Sequence, residues 1–62
     1  MKYQVNFFKG GELFSSEILT YKNDFHLISC YILENLKDVI YINKELVLRY
    51  NNGNILKFKR AK

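Results

Sequence analysis

Leu46–Arg60 reads LVLRYNNGNILKFKR, and the way this stretch folds back on itself decides which side chains enter the core. Asn52-Gly53 is the strongest hairpin signal in the chain, because a type I′ turn needs positive φ at both central positions and Asn and Gly accept it. With these two residues at the centre of the turn, Tyr50 faces Ile55, Arg49 faces Leu56, Leu48 faces Lys57 and Val47 faces Phe58. One side of the hairpin then carries Leu46, Leu48, Tyr50, Ile55, Lys57 and Lys59; the other carries Val47, Arg49, Leu56, Phe58 and Arg60. Neither side is purely polar, so this register leaves apolar surface on both faces of a sheet.

Upstream, Val39–Ile42 is another β-branched run, separated from Leu46 by Asn43-Lys44, a much weaker turn signal. Residues 39–50 are therefore either two strands or one long bent strand. Before them, Asn23-Asp24 offers an N-cap. At about 100° per residue, Phe25, Ile28, Ser29, Ile32, Leu33 and Leu36 fall on one side, which predicts an amphipathic helix of about four turns. Its outer side holds His26, Glu34, Lys37 and Asp38, but also Leu27, Cys30 and Tyr31, with Leu27 and Tyr31 placed to touch as i, i+4 neighbours.

The N-terminal part reads as a second hairpin. Tyr3, Val5 and Phe7 alternate with Gln4 and Asn6, and Gly10-Gly11 supplies a tight turn. That turn sets Phe8 against Leu13, Phe7 against Phe14, Val5 against Ser16 and Tyr3 against Ile18, which gathers Tyr3, Val5, Phe7, Phe14 and Ile18 on one face. The expected fold is a small single-domain α+β protein spanning residues 1–62. It has a single-layer, mainly antiparallel sheet, ββαβββ or ββαββ, with one amphipathic helix packed on one face.

A chain of 62 residues buries only about 60% of the surface it exposes when unfolded. Domains so small often use a disulfide, a metal or a partner. One cysteine, Cys30, and one histidine, His26, form neither an internal disulfide nor a four-ligand zinc site. His26 reads as a solvated first-turn histidine and Cys30 as an incidental thiol; Glu34 and Asp38, one helical turn apart, lack a third ligand. Gly10-Gly11 is followed by a strand rather than by the helix start that phosphate-cradling motifs require. No cofactor, metal, small-molecule substrate or enzymatic activity is expected. The chain shows neither a signal-peptide pattern nor an apolar run of membrane-spanning length, which predicts a cytoplasmic protein without a membrane partner.

The net charge is +4, with a pI near 9.3. Residues of AT-rich codons (Phe, Tyr, Met, Ile, Asn and Lys) make up about half of the chain, against three glycines and no proline, so the abundance of lysine is partly compositional. One helix covers one face of a four- or five-stranded sheet, and uncovered apolar surface marks a partner. The leading expectation is a small non-enzymatic protein-interaction module, a regulator or inhibitor of the kind phages and mobile elements use against a larger protein, with a homodimer as a further arrangement. Phe8, Leu13, Leu27, Tyr31 and Tyr50 are its candidate contacts. The rival is a sheet-based binder of single-stranded DNA or RNA in which Lys57, Lys59 and Arg60 contact phosphates and Tyr50 stacks on a base. Set against that rival, lysines on a terminal strand also serve to guard an exposed sheet edge.

Overall fold

In the computed structural model, which describes residues 1–31 and 34–61, the Asn-Gly turn is one residue longer than a type I′ turn. The Tyr50 amide donates to the Asn54 carbonyl (3.0 Å) and the Gly53 amide to the Tyr50 carbonyl (3.0 Å). Positive φ falls on Gly53 (89°) and not on Asn52, the arrangement of a type I turn followed by a glycine bulge. The Asn52 side chain secures the loop by accepting from the Asn54 amide at 3.0 Å. By contrast, Asn43 (φ 51°) and Lys44 (φ 66°) both take positive φ and close a tight two-residue turn, with Ile42 opposite Glu45. Residues 39–50 are thus a hairpin rather than a bent strand.

The extra loop residue moves the hairpin register by one and reverses every side chain relative to its expected neighbour. Leu46 lies opposite Phe58, Val47 opposite Lys57, Leu48 opposite Leu56 and Arg49 opposite Ile55. The physical reason is burial. In the expected register Lys57 and Lys59 share a face with Leu46 and Leu48, whereas the observed one collects Leu46, Leu48, Leu56 and Phe58 together and sends the lysines to the opposite face.

Six elements follow in the order β1 (Lys2–Lys9), β2 (Glu12–Thr20), α1 (Asp24–Cys30), β3 (Leu36–Ile42), β4 (Glu45–Tyr50) and β5 (Ile55–Ala61). They form one antiparallel five-stranded sheet with strand order β2-β1-β5-β4-β3. The last strand is therefore central, not the edge expected for it, because β1 pairs along its other side and sets Val5 opposite Phe58. The edges are β2 and β3.

β1 and β2 meet through Gly10 (φ 61°) and Gly11 (φ 84°), with Lys9 opposite Glu12 and Phe8 opposite Leu13 as the turn predicts. A bulge then removes Phe14 from the ladder, so Phe7 faces Ser15, Val5 faces Glu17 and Tyr3 faces Leu19 instead of the expected partners. Leu19 gains a place against the core by this shift, and Ile18 is left 57% exposed on the other face.

The helix has seven residues, not four turns. Asn23 caps it by accepting the His26 amide at 2.9 Å, and Leu36, expected on its apolar stripe, opens β3 instead. Of that stripe, Ile32 and Leu33 lie outside the described residues. A two-turn helix is oriented only by the apolar residues within it. Leu27 is fully buried and Ile28 and Tyr31 pack beside it, while Phe25 stands 85% exposed. The core comprises Tyr3, Val5, Leu27, Leu46, Leu48, Tyr50 and Phe58. Among the described residues, no helix is long and apolar enough to cross a membrane.

Candidate interaction site

The register places each expected contact residue. Leu27 and Tyr50 are core residues, and Tyr31 is half-buried with its ring against Phe58 (centroids 5.2 Å apart) and its hydroxyl hydrogen-bonded to that of Tyr21. Tyr21, desolvated and facing that second phenol, has its own hydroxyl pKa pushed well above the ordinary tyrosine value. The expected Leu27–Tyr31 surface patch is therefore the inner side of the helix. Leu13 remains 58% exposed, and Phe8 is half-buried beneath the Lys57 ammonium, 5.0 Å from the ring centroid.

The basic residues do not act as a trio. Lys57 and Lys59 lie on the face away from the helix, opposite Val47 and Glu45 respectively, while Arg60 lies on the helix side and donates to Asp24 at 3.3 Å. Tyr50 is 7% exposed, faces the helix, and donates its hydroxyl to the Tyr31 carbonyl at 3.3 Å. The arrangement expected for nucleic acid, with Tyr50 beside Lys57 and Lys59, is absent because the one-residue shift separates them.

Asp24, on the first turn of the helix, joins four elements. It accepts from the Tyr3 hydroxyl (2.6 Å), the Tyr41 hydroxyl (2.6 Å) and Arg60, which lie on β1, β3 and β5. The two phenol donors, with Arg60 behind them, hold its carboxyl below the usual carboxylate range against an opposing effect of burial. Burial raises the Tyr3 hydroxyl pKa, and the bond to Asp24 raises that of Tyr41. Asp38, expected beside Glu34 on a helix, lies instead on β3 and accepts two hydrogen bonds from Arg49, at 2.8 and 2.6 Å. Among the described residues no three His, Cys, Asp or Glu side chains come together.

The exposed apolar side chains concentrate where a strand has one neighbour only. On β2, Leu13, Phe14 and Ile18 are 58%, 68% and 57% exposed, and eight of the nine residues are solvent-exposed, which makes it the least covered strand. Its backbone polar groups face solvent along the free side. Among the described residues, β2, ELFSSEILT, is also the one strand without Lys, Arg or Pro, and it carries Glu12 and Glu17. The absence of Lys, Arg and Pro from this strand was readable in the sequence; the edge position was not, because it depends on β1 pairing with β5.

Beside this edge, on the helix side, runs a groove of about 400 Å³. Val5, Phe7, Tyr50 and Leu56 supply apolar walls, Ser15 and Glu17 reach it from β2, and Asn35, Asn52 and Asn54 add polar groups. Phe14 stands edge-on to Phe7 with ring centroids 5.7 Å apart, extending the apolar surface toward β2. An unpaired strand next to an apolar groove can accept an extended peptide, whose main chain bonds to the edge while alternate side chains enter the groove. Compared with protein-family models, curated protein sequences and solved structures, the chain matches none.

Proposed function

We propose that this chain is a non-enzymatic protein-interaction module that receives an extended segment of a larger protein along β2, regulating or inhibiting that protein by occupying the segment. The observation that carries this reading is the coincidence, on one free edge strand, of three exposed large apolar side chains, two carboxylates and no basic or proline guard. The matching segment is a β-strand with Lys or Arg opposite Glu17 on the groove side, a further basic residue opposite Glu12, and apolar residues opposite Leu13 and Ile18. Opposite charges directly across a ladder stabilise it by about 0.2–1 kcal/mol each, enough to select among strands although not to bind one alone. Surface area and the main-chain bonds supply the rest.

The test is selection of peptides from a random displayed library, followed by amide hydrogen exchange on the complex. Selected peptides are expected to be basic and rich in β-branched residues, to protect amides within Glu12–Thr20, and to bind less well to Glu17→Lys. Binding that leaves the β2 amides unprotected and ignores Glu17→Lys would overturn the proposal.

A further inference from the structure

The opposite end of the sheet carries a different surface. A cleft of about 500 Å³ lies there, lined by Tyr41 of β3, Lys44 of the tight turn, and Lys59 and Arg60 of β5. Three cationic residues and one phenol line it, Lys59 from the face away from the helix and Arg60 and Tyr41 from the helix side. Two of these four side chains are held from behind by one carboxylate, since Asp24 accepts from both the Tyr41 hydroxyl (2.6 Å) and Arg60 (3.3 Å). The tight turn sets the Lys44 backbone, at φ 66°, and its side chain is exposed. The acidic groups nearby are Asp24, already engaged by Tyr3, Tyr41 and Arg60, and Glu45, which lies opposite Lys59 in the ladder. An arginine has five N–H donors, so the single bond to Asp24 leaves Arg60 able to contact an anion. Tyr41 is 58% exposed, which leaves ring surface beside the cations.

We infer that this cleft binds the backbone of single-stranded nucleic acid, with Lys44, Lys59 and Arg60 contacting phosphates and Tyr41 offering its ring to a base. Tyr41 thus takes the stacking role that the sequence suggests for Tyr50, which is buried in the core. A solvated tyrosine flanked by cations suits a single strand, because unpaired bases expose the faces that stack while the phosphates follow a positive groove. Duplex DNA keeps its base faces stacked inside and gains nothing from the ring. This surface is separate from β2 and does not depend on that strand taking a partner.

The test is fluorescence anisotropy of a labelled single-stranded oligonucleotide of about ten residues, with an abasic oligonucleotide of equal length, a duplex and inorganic polyphosphate as comparisons. Three phosphate contacts on a single strand give about a 20-fold loss of affinity between about 50 and 200 mM salt, and removing two of them reduces this to about 3-fold. The Lys44→Gln, Lys59→Gln double variant, altered only at exposed side chains, is expected to show that flattened salt dependence. Tyr41→Ala should weaken binding of the oligonucleotide and leave the abasic strand unaffected, whereas Tyr41→Phe, which keeps the ring and loses only the bond to Asp24, should bind as the parent does. Equal affinity for the abasic strand or for polyphosphate would overturn the inference in favour of a simple anion site. Tighter binding of duplex, an unchanged salt slope in the double variant, or no binding at the lower salt would also overturn it.

Discussion

β4 and β2 are both short runs of mixed apolar and polar residues, yet they have opposite fates. In β4, Leu46, Val47, Leu48 and Tyr50 are all buried, while β2 has a single residue, Leu19, that is even partly covered. Each strand carries four large apolar residues, in nine positions of ELFSSEILT and six of ELVLRY, so a lack of apolar side chains does not account for the exposure of β2. Position does. β4 has a strand on each side and Leu27 of the helix joins the core cluster with its Leu46, Leu48 and Tyr50, whereas β2 has β1 alone. Burial in so small a sheet is thus set by the number of neighbours, and the same side chain carries stability in the middle and is free to bind at the margin.

The largest effect that would sharpen this contrast is expected at Leu48, which is fully buried between β3 and β5. Leu48→Ala should cost about 2–5 kcal/mol, a large share of the total stability of a domain of this size, and urea denaturation should find most of the variant unfolded. A loss under about 1 kcal/mol would mean that the centre of the sheet is no better packed than its edge.

The second effect concerns Asp24, which ties the helix start to strands β1, β3 and β5. Its carboxyl is held below the ordinary value in the folded state. The stability it contributes is therefore fully present above the unfolded-state value, near 3.8, and is lost as pH falls through the folded value below that. Asp38, depressed by Arg49, acts in the same direction and the same window. Asp24→Asn should lower stability at neutral pH by about 1–2 kcal/mol and flatten the acid limb of a stability–pH curve, as measured by urea midpoints from pH 7 down to about pH 2. An acid limb identical to the parent's would remove Asp24 from the account of how helix and sheet are joined.

Smaller still, and of opposite sign, are the two turns beside β4. Gly53→Ala places a Cβ where φ is 89°, and about 1 kcal/mol of stability should be lost although open space surrounds the position. Lys44→Gly relieves positive φ at a residue that takes it with strain, and should gain up to about 1 kcal/mol. Both shifts can be read from thermal midpoints.

These turns also explain what the sequence conveys and what it withholds. Strand alternation in Lys2–Phe8 and Ile55–Lys59 is a local, period-two property, and both stretches are strands in the structure. Asn52-Gly53 marks a reversal equally well, but the pair serves both a two-residue turn and a three-residue loop with Gly53 in the bulge, and those two differ by one residue of register. Since one residue exchanges the faces, Tyr50 moves from a platform beside Lys57 to the core. The helix stripe fails for a related reason. It draws on Leu36, which the structure gives to β3, and without it Leu27 and Tyr31 outweigh Phe25. The candidate edge was half visible, in a strand with no basic residue, while its exposure awaited the non-local pairing of β1 with β5.

The smallest effect on stability is expected on β2 itself, and it is the one that bears most on function. Leu13→Ala and Ile18→Ala remove side chains already 58% and 57% exposed, so each should change the unfolding free energy by no more than about 0.5 kcal/mol, in contrast to Leu48→Ala. If either costs several times that amount, the side chain is covered in solution. Its cost should then grow with protein concentration, because a second copy pairing along β2 stabilises by mass action. Sedimentation equilibrium across a range of concentrations separates the two cases. A monomer with Leu13 and Ile18 thermodynamically silent leaves β2 free for a strand of another protein, and the same two substitutions should then weaken capture of the selected peptides while leaving the fold intact. A dimer that dissociates on Ile18→Ala makes the second copy the occupant of the edge, and any outside strand must compete with it.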